Sequence, residues 1–192
     1  MAPRSRDRVG LPAVPGVPVS RPNSFPPSDG SDSRRILLET QDSVTQFLEV
    51  LTGESLFADV VRQELVRAGP GNCLGVAAGQ SVTHRIAVLK GRATDRAYVY
   101  AESIFAPERL PEQVGAQLEG TDDPIGRVLV AHGLKLKRES LPEQEADPEV
   151  KPVDEGVFTR AYRLMIDGSP VFAIREWFLR PALETLDRQT QG

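Results

Sequence analysis

Two pairs of alternating, β-branched segments dominate this chain, and the links inside each pair are only a few residues long. "SVTHRIAVLKG" begins at Ser81 and ends at Gly91; "RAYVYAESIF" follows after a turn through Ala93-Thr94-Asp95. "FTRAYRLMI" and "PVFAIREWFL" flank Asp167-Gly168-Ser169, a strong hairpin signal because a tight turn needs positive φ, which Gly adopts freely. Parallel neighbours require a crossover of about a dozen residues, so links this short make each pair antiparallel. Leu56 to Val66 is also β-branched and apolar and reads as a strand, with a helix as the competitor. "LKLKRESL" alternates as one more. The expectation is an α+β fold: a single antiparallel sheet of about six strands, covered by a few helices.

The helices are shorter signals. Val44, Phe47, Leu48 and Leu51 recur at helical spacing, with Thr40 or Asp42 as the cap and Gly53 near the end. Pro107 to Leu118 reads as a short helix or loop. Pro124 sits in the first turn of another helix, where its fixed φ and missing N–H cost nothing. The polar stretch after Pro181 reads as a frayed helix.

At 192 residues the chain supports one domain with a real core. Residues 1–33, rich in Pro, Ser and Arg, lack any apolar period and cannot offset their ordering entropy by burial, so they read as a disordered tail. The domain then spans 34–184, and 185–192 reads as a polar C-terminal tail. Pro142 to Asp154 is acidic and reads as a solvent loop.

The net charge of -4 gives no sign of the basic face that nucleic-acid binders carry. One cysteine, Cys73, forbids an intrachain disulfide and fits a reducing cytoplasm. One Cys and two His, His84 and His132, do not supply the four ligands of a structural zinc site. No apolar run approaches the roughly 20 residues of a membrane span. Pro12, Pro15 and Pro18 break the only N-terminal apolar stretch, so no signal peptide is expected.

Period two places Phe172, Ile174, Glu176 and Phe178 on one strand face. If that face is buried, Glu176 is an anomalous carboxylate and a candidate general acid or base, unless a cation holds it ionised. The competing arrangement turns Arg175 and Trp177 inward instead. Arg85 shares a face with Thr83, Ala87 and Leu89. It either lines a cavity, where its guanidinium can grip a carboxylate with two parallel hydrogen bonds, or points outward as a surface ion pair. "DDPIGRVL" places a turn before a helix, whose first N–H groups attract anions, and Gly126 permits close approach to the backbone. His132 and Cys73 receive no chemical role. Phosphate-loop, dinucleotide, serine-hydrolase and zinc-protease motifs are absent from the sequence.

Four blocks, in order, carry a resemblance: "ETQDSVTQFLEVL", "HRIAVLKGRATDRAYVYAESIFAPERLP", "TDDPIGRVLVAHGLKLKRESL" and "RAYRLMIDGSPVFAIREWFLRP". Together, over Ile36 to Pro181, the chain resembles chorismate pyruvate-lyases. The likeness is to the actinobacterial branch, which makes 4-hydroxybenzoate for phenolic lipids, and to the ubiquinone-pathway enzyme. The same fold superfamily includes ligand-sensing domains of bacterial transcription regulators.

The resemblance implies an antiparallel sheet with helices over a buried ligand cavity. It implies that Arg85 binds substrate carboxylate and that Glu176 is the acid/base. It also implies that the backbone of Ile125 touches the ligand and that Val44 lines the pocket. Gly126, Ile174 and Phe172 are expected to join them at the substrate. The implied reaction is chorismate to 4-hydroxybenzoate plus pyruvate, with no cofactor or metal; the expected partner is a small-molecule carboxylate substrate, with no nucleic acid or membrane. An alternative is a lyase-fold enzyme recruited for another cofactor-free step, such as a cyclisation in natural-product assembly, with Phe172, Ile174 and Phe178 suiting a greasier ligand. A non-catalytic sensing domain is the third reading. The chain departs from the family pattern at Arg175, where Thr is common.

Overall fold

The computed structural model describes residues 43–141 and 158–190. The expected 1–33 tail, the start of the domain at 34, the Thr40 and Asp42 caps and the Pro142–Asp154 loop lie outside them.

Six strands form one antiparallel sheet in the order β1-β2-β3-β6-β5-β4. They are β1 Leu56–Arg67, β2 Ser81–Gly91, β3 Ala97–Phe105, β4 Leu136–Ser140, β5 Phe158–Ile166 and β6 Ser169–Phe178. The segment at Leu56 is therefore a strand, not a helix. Both hairpins expected from the sequence form: β2 pairs β3, and β5 pairs β6. Asp167 and Gly168 close the second with φ of 49° and 80°, the paired positive values of a two-residue turn whose twist matches its strands.

Among the described residues four helices accompany the sheet: α1 Val44–Thr52, α2 Glu112–Gly120, α3 Ile125–Ala131 and α4 Arg180–Thr190. Helix α1 starts after Ser43 and ends on Gly53, whose N–H donates to Glu49 O. Pro107–Arg109 is a 3₁₀ turn leading to α2, so the Pro107–Leu118 stretch is both loop and helix. The boundary expected at 184 falls inside α4. Ala182, Thr185 and Leu186 are buried, Ala182 and Leu186 against α1 and the β3/β6 end of the sheet. A polar outer face hid this packed inner stripe, because three or four apolar residues suffice to seat a short helix.

The helices divide the covered face into two halves. Val44 and Leu48 of α1 join Ala58, Leu89, Val99 and Phe178 in one apolar cluster. Val114 and Leu118 of α2 and Val128 and Leu129 of α3 join Phe105, Leu164 and Phe172 in the other. Arg127 of α3 closes the seam: it pairs with Glu49 of α1 and donates to Leu56 O at 3.1 Å. Glu49 in turn accepts from the Leu56 N–H at 2.8 Å. Between the halves the sheet keeps an open chamber.

Candidate active site

The chamber floor is small-chained. Ala87, Ala101, Ser103 and Ile174 cover the middle of the sheet, and Leu164 and Leu136 continue it towards β4. Ala87 and Ala101 stand opposite one another on β2 and β3, next to Ser103; side chains this small cannot fill the space beneath the helices, so a void remains. Its volume is about 110 Å³, which is a compartment for a small molecule rather than a groove for a polymer.

Arg85 stands at the β2 end, 1% exposed. The outward ion-pair alternative is thereby excluded. Its guanidinium donates to Gln63 Oε1 at 3.0 Å, to Leu118 O, and to Asp123 O at 3.5 Å. All three acceptors are neutral carbonyl oxygens. Burial lowers the Arg85 pKa from its ordinary value, yet an arginine stays charged in proteins. Among the described residues no carboxylate pairs with it, and a buried guanidinium held only by carbonyls is chemically suited to an anion.

A β-bulge makes this arrangement. The β1–β2 register slips between Val60 and Arg62, with Val60 opposite Ala87 and Gln63 opposite Arg85. Were Val61 paired regularly with Ile86, Arg62 would stand opposite Arg85, and two cations would meet in the chamber wall. Bulges near functional sites re-aim side chains in this way.

Glu176 stands across the chamber on β6, 6% exposed. Its Oε2 accepts from Arg160 Nε at 2.6 Å and its Oε1 from Tyr162 OH at 2.9 Å. Burial alone would lower the Arg160 pKa, but Glu176 and Tyr162 outweigh it and raise it. Tyr162 is raised first by burial and then by Glu176, so its phenol keeps its proton and remains a donor. Arg175 lies on the opposite face, with its guanidinium 5.7 Å from the Trp177 ring. The β3–β6 register is unbroken from Phe172 to Phe178. The departure at Arg175 therefore does not alter the chamber's charge.

Val44, Ile125, Gly126 and Ile174 line the chamber with Arg85 and Glu176. The amides of Ile125 and Gly126 belong to the first turn of α3, where N–H groups have no acceptor within the helix. At Gly126 the close approach is made by the protein itself: an added Cβ would sit 2.7 Å from Ser43 Oγ. Phe172 is a correction. It is fully buried in the second core half, with its ring 5.0 Å from Phe105, and it does not line the chamber. Phe178 likewise packs in the first half, stacked on Phe158 at 4.6 Å. Period two assigns a face; it does not say how far along a strand the helices sit.

Sequence reasoning missed Arg160, Tyr162 and Arg138. Tyr162 and Arg138 line the chamber and Arg160 holds Glu176. The signal was present in "FTRAYRLMI", where period two puts Arg160 and Tyr162 on the same face as Leu164 and Ile166.

The model of the Rv2949c-like chorismate pyruvate-lyase family matches residues 38–187. The chain belongs to this chorismate pyruvate-lyase family. It is similar to the chorismate pyruvate-lyase of Mycobacterium tuberculosis, 28% identical over 157 residues that cover 76% of this chain and 79% of that one. It is also similar to the chorismate pyruvate-lyase of Mycobacterium leprae, at 27% identity over 164 residues, 81% of this chain and 78% of that one. The family makes it a chorismate lyase-like enzyme. Among solved structures, PhnF from Mycobacterium smegmatis shares the fold with a TM-score of 0.51, 13% identity, and coverage of 75% of this chain and 66% of that one. Among the described residues no helix is long and apolar enough to cross a membrane.

Proposed function

We propose that this chorismate lyase-like enzyme converts chorismate to 4-hydroxybenzoate and pyruvate. The observation that carries the reading is Arg85: a fully buried guanidinium lining a small chamber and held only by carbonyl oxygens among the described residues. Such a group takes the ring carboxylate of the substrate by paired, charge-assisted hydrogen bonds.

The reaction breaks the C–O bond to the enolpyruvyl group and removes a ring proton; the departing enol becomes pyruvate, and the ring becomes aromatic. Aromatisation supplies much of the driving force. The protein has to orient the substrate, exclude water and move one proton. The last task is assigned to Glu176. Both of its oxygens accept from donors, Arg160 and Tyr162, so it acts as the base that receives the ring proton. Proton transfer by one positioned side chain is worth about 10²–10⁴ in rate. No step uses a cofactor.

Of the three residues that suit a greasier ligand, Ile174 lines the chamber, while Phe172 and Phe178 are core residues. The experiment is direct: incubate the protein with chorismate and follow 4-hydroxybenzoate by absorbance and pyruvate by coupled reduction. Equimolar appearance of the two supports the reading. Unchanged chorismate with bound ligand would favour a sensing domain, and a different product would favour a recruited enzyme.

A further inference from the structure

Serine is a favoured residue just before a helix, because its hydroxyl can accept from the N–H of the second or third helical residue. Ser43 stands at that position ahead of α1, yet its side chain makes no such bond. Its Oγ is buried and has no hydrogen-bond partner of any kind among the described residues. A buried hydroxyl left unpaired destabilises a fold, so native chains hold few of them. Ser43 thus gives up a cap and carries an unpaired polar atom, and it lines the chamber.

Gly126 leaves room for that hydroxyl. A Cβ at Gly126 would sit 2.7 Å from Ser43 Oγ, so a larger residue at the start of α3 would push the hydroxyl aside. Ser43 and Arg85 reach the same stretch of backbone. Arg85 Nη2 donates to Asp123 O at 3.5 Å, and Ser43 Oγ lies against Gly126, three residues further on. At most about 11 Å of chain separates the two contacts.

The donor count at Arg85 is short for a buried anion. A guanidinium has five N–H donors. The hydrogen bonds described for Arg85 use both N–H groups of Nη1 and one of Nη2. The Nε–H and the second N–H of Nη2 are left to take the two oxygens of a carboxylate. A carboxylate has about four acceptor sites, and a buried one needs more than two donors to offset its lost hydration. A hydroxyl with no other partner is suited to be the next.

We propose that Ser43 is a substrate-binding residue whose hydroxyl donates a third hydrogen bond to the carboxylate held by Arg85. This inference rests on the reading of the chamber as a carboxylate-substrate site. The hydroxyl then works against the free chain and for the complex. A helix cap would do the reverse, since it stabilises the chain whether or not ligand is bound.

The test is Ser43→Ala. Binding of benzoate and of 4-hydroxybenzoate is measured by calorimetry, thermal unfolding is measured without ligand, and KM and kcat are measured for chorismate. Both ligands should weaken about tenfold and by the same factor, because they share only the ring and the carboxylate. The chorismate KM should rise about as much while kcat stays within about twofold, as expected for a contact made equally in the ground and transition states. The melting temperature should stay equal or rise. Unchanged affinity for both ligands overturns the proposal, and so does a loss confined to 4-hydroxybenzoate, which would put Ser43 at the ring hydroxyl. A lower melting temperature, or a variant that does not fold, also overturns it, because Ser43 would then be structural. If both ligands weaken but the wild-type chain leaves chorismate intact, the lyase reading falls and Ser43 stands as a carboxylate ligand. A wild-type chain that binds neither ligand overturns both.

Discussion

Arg160 of β5 and Glu176 of β6 stand directly opposite one another and meet at 2.6 Å inside the covered face of the sheet. The Asp167-Gly168 turn alone would not bring them together. Ile166 pairs with Ser169 and Met165 with Pro170, but Leu164 pairs with Phe172. The extra residue, Val171, shifts every later pair by one. Were Val171 itself paired with Leu164, Arg160 would oppose Arg175, and Glu176 would lack its counter-ion. Together with the bulge that places Gln63 at Arg85, two local irregularities set the charge pattern at the two ends of the chamber.

Arg160→Met should therefore destabilise the fold. Both partners are almost fully buried, and removing one leaves an uncompensated charge. The expected loss is about 3–5 kcal/mol, read by urea unfolding. Arg160→Met combined with Glu176→Gln should recover part of it. A single variant as stable as the wild type would contradict the buried pair.

Gln63→Glu should silence the proposed anion site without unfolding the chain. A carboxylate at this position, within 3.0 Å of Arg85 Nη1, supplies the counter-ion that the substrate is meant to bring. Affinity for 4-hydroxybenzoate should fall about tenfold or more, with thermal stability equal or higher. Unchanged affinity would show that Arg85 does not hold the ring carboxylate.

The three tyrosines of the chain should resist alkaline titration. Burial is the first cause in each case: it raises Tyr98 and Tyr162, both also raised by a neighbouring glutamate, and pushes Tyr100, aided by Glu102, up to about 12. A group whose folded pKa is raised keeps its stabilisation below its unfolded value, 10.0 here, and loses it as the pH climbs through the folded one. Tyrosinate absorbance should thus be small at pH 10.0 in the native chain and should appear together with alkaline unfolding. Ordinary titration of all three near that pH would contradict their burial.

Much of this was legible in the sequence. Short links between alternating segments required antiparallel pairing, and period two put Arg85 and Glu176 on one face with small and apolar neighbours. The register was not legible, because both bulges interrupt alternation without a residue type that marks them: Val61 and Val171 are ordinary strand residues. That is why Arg160 was missed as the partner of Glu176 although its own face was readable. Phe172 failed for a different reason: its face was right, but only the positions of α2 and α3 show that the chamber ends at Ile174 and the core begins beyond it. The partner of Arg127 was likewise invisible, since Glu49 lies 78 residues away.

The most direct measurement is turnover of Glu176→Gln at saturating chorismate, with 4-hydroxybenzoate binding measured alongside. The amide keeps the shape and the acceptor towards Arg160 but cannot take a ring proton. The account expects kcat to fall about 10²–10⁴-fold while product affinity is largely kept through Arg85. Wild-type turnover in this variant would remove Glu176 from the chemistry and contradict the central claim.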